Sequence, residues 1–334
     1  MLPFKLVYSD AYYLPIGTHI FPAEKYRLVA RCLREKGVAT AEDFVVPQPA
    51  DDRDVLLAHG DFYVHKLRTG TLSAREELQM EIPYSDELVE AFLLNAGGSI
   101  LAARQSLRDG IGINLGGGFH HAFPDHGEGF CMINDVAVAI RALQRDKLIV
   151  RAMVVDCDVH QGNGTAVIFG RHPQSEEEQS APAPVVTRDQ FAWMREAAVP
   201  PAHVFTISLH QENNYPVWKP PSSIDVNFAD GADDQPYLDW LARALDSAFA
   251  KFQPEVIAYV AGADPYREDQ LGGLNLSLDG LRRRDEYVFR LARERHIPIF
   301  ATLAGGYARQ LEDTVTIHCN TVTAAASIYA RQGT

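Results

Sequence analysis

The chain has 334 residues, 46% hydrophobic and 22% charged, a globular composition long enough to bury a sizeable core and incompatible with global disorder. Its 44 Asp and Glu oppose 31 Lys and Arg, a net charge of −13 with the 12 histidines neutral. That balance argues against nonspecific binding to nucleic acid or to an anionic membrane, which need a basic surface, and is compatible with a cationic substrate.

The amino terminus, MLPFKLVYSD, lacks a charged region followed by a long apolar run, so no signal peptide is expected. No stretch approaches the roughly 18 uninterrupted apolar residues of a membrane span. The four cysteines, Cys32, Cys131, Cys157 and Cys319, include no Cys-x-x-Cys pair and suit neither a zinc knuckle nor a disulfide scaffold. A soluble, cytoplasmic protein is expected.

Strands are expected at 5–8, 111–115, 152–157, 203–209, 256–261 and 298–303. These runs are rich in Val, Ile and Ala and do not alternate with polar residues, as in strands covered on both faces of a parallel sheet. Between them, Val89, Phe92, Leu93, Ala96, Ile100 and Leu101 recur at helical spacing, as do Tyr237, Leu241, Ala244, Leu245, Ala248, Phe249 and Phe252. The alternation predicts an α/β fold with a doubly wound, mostly parallel sheet flanked by helices. Segment 171–201 is polar, acidic and Pro/Ala-rich, and is expected to be a mobile surface excursion at the amino-terminal edge of the sheet. Ligands of such sheets bind beyond the carboxyl ends of the strands, so the excursion is expected to have no direct catalytic role.

Polar residues collect at the carboxyl strand ends: His120 and His121 in GGGFHH, Asp156, Asp158, His160 and Asn163 in DCDVHQGNG, Asp264 in AGADP, and Tyr307 in AGGY. In extended chain, residues i, i+2 and i+4 face one side, so Asp156, Asp158 and His160 are expected to converge. Carboxylates so placed repel unless a cation neutralises them, which predicts a metal. Asp158, His160 and Asp264 would offer two oxygens and one imidazole nitrogen and leave a position for water, as a catalytic zinc or iron site requires. Two carboxylates cancel the ion's charge, so its water is less acidified than in a three-histidine site, and a separate base is useful. His120 and His121 fit that need. Tyr307, freed by two glycines, can donate to a developing oxyanion. Each residue has an ordinary alternative: a strand-end surface acid, a structural histidine, a turn tyrosine.

The segments GGGFHHAFPDHGEGFCMIND, VVDCDVHQGNGTAVIF, SLHQENNYP, AGADPYREDQLGGLNLS and LAGGYA resemble the histone deacetylase superfamily, on the arginase/deacetylase fold. The resemblance covers nearly the whole chain, departs mainly at 171–201, and in its HQGNG and DQLGGLNLS wording is most similar to class IV and its bacterial relatives. It implies Asp158, His160 and Asp264 as zinc ligands and Tyr307 as the carbonyl-polarising phenol, while Fe2+ remains the other ion that the donor set suits. It pairs His120 with Asp156 and His121 with Asn163. On that pairing His120 is expected to be cationic and His121 to keep a near-neutral pKa, which makes His121 general base then acid and His120 electrostatic support. A potassium site would use the Asp156 side chain, main-chain oxygens of Asp158, His160 and Leu209, and Ser208. Phe130, with Gly129 before it, matches the aromatic wall of an acyl-lysine tunnel. Tyr215 would form the opposite wall, Leu271 would line the channel, and Glu81 would be the rim acid that holds the substrate backbone. Core packing or simple surface exposure is the alternative for each.

The expected reaction is zinc-dependent hydrolysis of Nε-acyl-lysine amides by a water activated on the metal, with acyl groups longer than acetyl accepted. An acetylpolyamine amidohydrolase would share every catalytic residue, so the substrate is an acylated protein, peptide or polyamine. A non-catalytic acyl-lysine reader would be expected to lack part of the His-Tyr machinery. Because positions 120 to 307 must meet at one ion, residues 1–334 are expected to form a single domain, with the oligomeric state left open.

Overall fold

In the computed structural model, which describes residues 2–170 and 203–330, the apolar runs become parallel strands of one sheet. The expected excursion at 171–201 lies outside the described residues. The strands are β1 (Leu6–Val7), β2 (Phe44–Val45), β3 (Ile111–Asn114), β4 (Ala152–Asp156), β5 (Val204–Gln211), β6 (Ile224–Phe228), β7 (Val256–Val260) and β8 (Ile299–Thr302). Among the described residues they form an 8-stranded sheet in the order β2-β1-β3-β8-β7-β4-β5-β6, with every pair parallel.

Strands β3, β4, β7 and β8 are fully buried, which is why their sequences carry no alternation. The sequence reading missed β2 and β6. The first has only two residues, and β6 is an edge strand whose Asp225 and Asn227 face away from the core, so neither presents an apolar run.

The helices are α1 (Lys25–Glu35), α2 (Asp52–Val55), α3 (Asp61–Thr69), α4 (Ala74–Met80), α5 (Asp86–Asp109), α6 (Asp135–Arg145), α7 (Asn163–Phe169), α8 (Asp234–Lys251), α9 (Leu278–Glu294) and α10 (Leu311–Tyr329). Helix α5 starts where the Ser85 side chain accepts from the Leu88 amide and stops at Gly110, which takes the left-handed conformation closed to most residues. It lies so close on β3 that a Cβ at Gly112 would fall 2.0 Å from the Ala102 carbonyl oxygen. None of the described helices is long and apolar enough to cross a membrane.

Strand order positions the chemistry. The chain leaves β3, crosses to β4, runs outward through β5 and β6, then returns to place β7 and β8 between β4 and β3. The four central strands therefore deliver their carboxyl-end loops to one place, where ligands of such sheets bind. Helix α9 ties two of those loops. Its fully buried Arg284 donates through Nη1 to the carbonyls of Cys157 (3.1 Å) and Gly262 (2.7 Å), and through Nε to Asp285 (2.9 Å).

Candidate active site

The loop after β3 is shaped by glycine and one acid. Gly117 and Gly118 have φ of 78° and 83°, and the amides of Gly118 (3.1 Å) and Phe119 (2.8 Å) donate to Asp135 at the start of α6. Ser99 also donates to Asp135. This turn delivers His120 and His121 side by side, their ring centroids 4.1 Å apart.

Their partners differ. His120 Nδ1 donates to Asp156 Oδ2 at 2.7 Å, and His121 Nδ1 donates to Asn163 Oδ1 at 2.7 Å. Burial opposes charge on His120, but the carboxylates of Asp156 and Asp158 outweigh it and raise the imidazole to about 9. Burial, then the positive charge of His120 and His160, pushes His121 well below its ordinary value. This corrects the near-neutral expectation for His121, because a neutral Asn163 cannot offset the loss of solvent. The result is a cationic and a neutral imidazole in contact.

Strand β4 ends at Asp156, and the next residues bend. The Asp158 amide donates to Asp156 Oδ1 (3.1 Å) and the His160 amide to Asp158 Oδ1 (3.0 Å). Asp158 and His160 thus reach the site through a side-chain-stapled bend, where strand alternation had been expected to bring them. Asp264 comes from the loop after β7, and its Oδ1 accepts from the Val159 amide at 2.9 Å. Asp158, His160 and Asp264 each place one ligand atom within 4.8 Å of the others, all buried.

Several features fit this group to a divalent cation. Asp264 Oδ2 is buried without a hydrogen-bond partner, and burial together with the neighbouring Asp158 pushes the Asp264 carboxyl up to about 7. A bound ion would remove that repulsion. Glycines leave the space: a Cβ at Gly305 would lie 1.9 Å from Asp264 Oδ2 and 2.5 Å from Asp158 Oδ2. Two carboxylates and one imidazole are a donor set for zinc or ferrous iron.

Tyr307 is held through its backbone. Its amide donates to Asp269 Oδ2 at 2.6 Å, while Asp269 Oδ1 accepts from the amides of Leu271 (2.8 Å) and Gly272 (2.9 Å). Burial, then Asp264 and Asp158, raises the Tyr307 phenol well above its usual range, so it remains a hydrogen-bond donor. Its ring stands 6.0 Å from Phe130 and 6.4 Å from His160.

His120, His121, Asp158, His160 and Tyr307 line a cavity of about 170 Å³ that also meets Phe130, Tyr215, Leu271, Gly129 and Glu81. Gly129 and Phe130 have φ of 52° and 64°, and a Cβ at Gly129 would come within 2.9 Å of both His121 and Tyr215. Phe130 therefore accepts an unfavourable backbone conformation to face the cavity. Tyr215 stands edge-on to His121 at 5.0 Å. Glu81 ends α4 in the left-handed conformation, and burial followed by nearby Glu128 raises its carboxyl. Asp156 pairs in register with Ser208, next to the buried Leu209, and Ser208 Oγ lies 2.9 Å from His210 Nδ1.

The sequence reading assigned no role to Asp135, Asp269, Glu128, Arg284 or Lys25. Asp135 and Asp269 had a signal, since each is an acid within a motif, the first opening a helix and the second preceding a glycine-rich turn. Lys25 had none. It lines the inner cavity fully buried, with Nζ donating to the Ala304 carbonyl at 2.5 Å, and burial lowers it to about 8.

Solved structures of similar architecture include an HDAC homologue complexed with SAHA, with TM-score 0.76, 23% identity, and 98% of this chain and 84% of that one covered. Another is an HDAC homologue from Aquifex aeolicus, with TM-score 0.73 and 22% identity over 98% and 88% of the two chains. At those identities the likeness shows the fold. Similar sequences include an uncharacterized protein of Picosynechococcus sp., 35% identical over 98% of this chain and 99% of its own. Histone deacetylase 2 of Arabidopsis thaliana is 30% identical, with 93% of this chain and 77% of that protein covered. The chain thus shares the arginase/deacetylase architecture of these structures, with its Asp-His-Asp group at the carboxyl edge of the sheet, and its match to histone deacetylases makes it an amidohydrolase. Residues 19–322 match the model of the histone deacetylase domain, and the chain belongs to the histone deacetylase family.

Proposed function

We propose that the protein hydrolyses Nε-acyl-lysine amides in acylated peptides or proteins, with zinc held by Asp158, His160 and Asp264. Ferrous iron suits the same donors. The observation that carries this reading is the unlike pairing of two adjacent histidines, one on a carboxylate and one on an amide, beside that Asp-His-Asp group. When bound, the ion supplies Lewis acidity to the amide carbonyl and to the attacking water.

The chain's own residues do the rest. His121 keeps its Nδ1 proton and donates a hydrogen bond with it to Asn163 Oδ1, which leaves Nε2 unprotonated as the base that takes the water's proton. The same nitrogen then protonates the departing lysine amine. Tyr307, kept protonated, donates to the oxyanion, and cationic His120 adds positive charge beside it. Phe130, Tyr215 and Leu271 offer walls for the apolar lysine stem, with Gly129 allowing their close approach, and Glu81 at the rim can accept a substrate backbone N–H. The Asp156–Ser208 register supports potassium held by Asp156, Ser208 and main-chain oxygens of Asp158, His160 and Leu209. Residues 1–334 are proposed to act as one domain.

The test is steady-state hydrolysis by the zinc-loaded chain of one peptide carrying acetyl-, octanoyl- or myristoyl-lysine, beside an acetylated polyamine. Turnover of the peptides is expected, with chains longer than acetyl accepted. Asp158→Ala should lose zinc and activity together. Tyr307→Phe should keep zinc and lose roughly 100- to 1,000-fold in kcat, as for other oxyanion donors. Full activity in either variant overturns the mechanism, and turnover of the polyamine alone reassigns the substrate.

A further inference from the structure

Glu128, between the histidine pair and Phe130, takes no part in the steps above. It lines no catalytic contact of its own, yet four donors surround it. Oε1 accepts from Asn163 Nδ2 at 2.7 Å and from the Tyr215 hydroxyl at 2.9 Å. Oε2 accepts from Gln79 Nε2 at 3.2 Å and lies 3.4 Å from His126 Nε2. His126 is itself held by Asp125 at 2.7 Å and stacked on Phe123 with centroids 4.5 Å apart. Burial opposes charge on His126, but Asp125 and Glu128 outweigh it and raise it to about 9, so a cation faces Glu128 at neutral pH. Its charge is thus already satisfied within the protein, unlike that of Glu81 at the rim.

The consequence lies in the shape of an amide. The two ends of an asparagine side chain are nearly the same size but opposite in hydrogen bonding, so orientation is set by partners. With its oxygen towards His121, Asn163 accepts a hydrogen bond from Nδ1–H and leaves Nε2 free to act as a base. With the amide turned over, its NH2 would face Nδ1, the imidazole proton would move to Nε2, and the ring could no longer take a proton there. The Gly164 amide also donates to Asn163 Oδ1, at 3.0 Å. Among the described residues, Glu128 is the acceptor for Nδ2. It also anchors Tyr215, whose ring packs edge-on against His121.

We propose that Glu128 is a positioning residue for the base: by accepting from Asn163 and Tyr215 it fixes the amide orientation and, through it, the Nδ1–H tautomer of His121. The inference rests on the reading of His121 as the base.

Glu128→Ala and Glu128→Gln in the zinc-loaded full chain test it. The readouts are kcat and KM on an acetyl-lysine peptide, thermal stability, and the nitrogen-15 ring signals of His121, assigned by their loss in His121→Ala. Glu128→Ala should lower kcat about 10-fold or more with KM within about twofold, and should spread His121 over both tautomers. Gln keeps an acceptor oxygen, so Glu128→Gln should return kcat to within about threefold of the parent with a single tautomer. An unchanged kcat and tautomer in Glu128→Ala overturn the proposal, as do equal losses in both variants accompanied by a raised KM, which would mean that the charge serves the substrate. Should the parent chain turn over no acyl-lysine, the function proposed above fails, while the His121 tautomer in Glu128→Ala still decides this inference.

Discussion

Gly305 illustrates how closely single atoms are constrained around the site. Its amide donates to Asp158 Oδ2 at 2.9 Å, and a Cβ there would fall 1.9 Å from Asp264 Oδ2. Real carbon–oxygen contacts do not come that close, so Gly305→Ala must displace a carboxylate or the backbone that carries it. Zinc affinity, measured by competition with a chelator, is expected to fall about 10- to 100-fold, as when other supports of metal ligands are disturbed. Unchanged affinity would show that the two acids do not hold the ion. Read as a sequence, AGGY suggested only freedom for Tyr307 to turn. That one of its glycines walls the carboxylates depends on a contact between loops far apart in the chain.

At the scale of elements, Arg284 of α9 links two loops through main-chain carbonyls and pairs with Asp285, which also accepts from Tyr259 and Thr321. Arg284→Met would leave Asp285 buried without its cation and two carbonyls without a donor. The expected loss is about 3–5 kcal/mol, read as a lower urea midpoint with an unchanged slope. A loss below roughly 1 kcal/mol would mean that solvent or rearrangement replaces the arginine. The central strands were legible because burial on both faces leaves apolar runs. Edge strand β6 and two-residue β2 were not, and Arg284 looked like one charge among several in LRRRDE.

For the whole molecule, the sheet order brings the β3, β8, β7 and β4 loops together, and the cost is two buried acids facing each other. A ligand that binds only the folded state stabilises it by mass action, about 2.7 kcal/mol at a free concentration 100 times its Kd. Chelation should therefore lower the melting temperature of the parent chain, and added zinc should raise it in a concentration-dependent way. Asp158→Ala should show no such dependence, by scanning fluorimetry or calorimetry. An equal melting temperature with chelator and with zinc would count against a metal at this site.

The amino-acid sequence alone determined the α/β class, the parallel character of the central strands and the residue types gathered at their carboxyl ends. Those properties follow from local patterning and from the rule that such sheets bind ligands at one edge. Only the tertiary structure decided that the turn after β4, and not strand alternation, brings Asp158 to His160, and that burial drives His121 well below neutrality. It also decided that Glu128 reaches Asn163. Each depends on desolvation or on hydrogen bonds between segments distant in sequence, which no local pattern records.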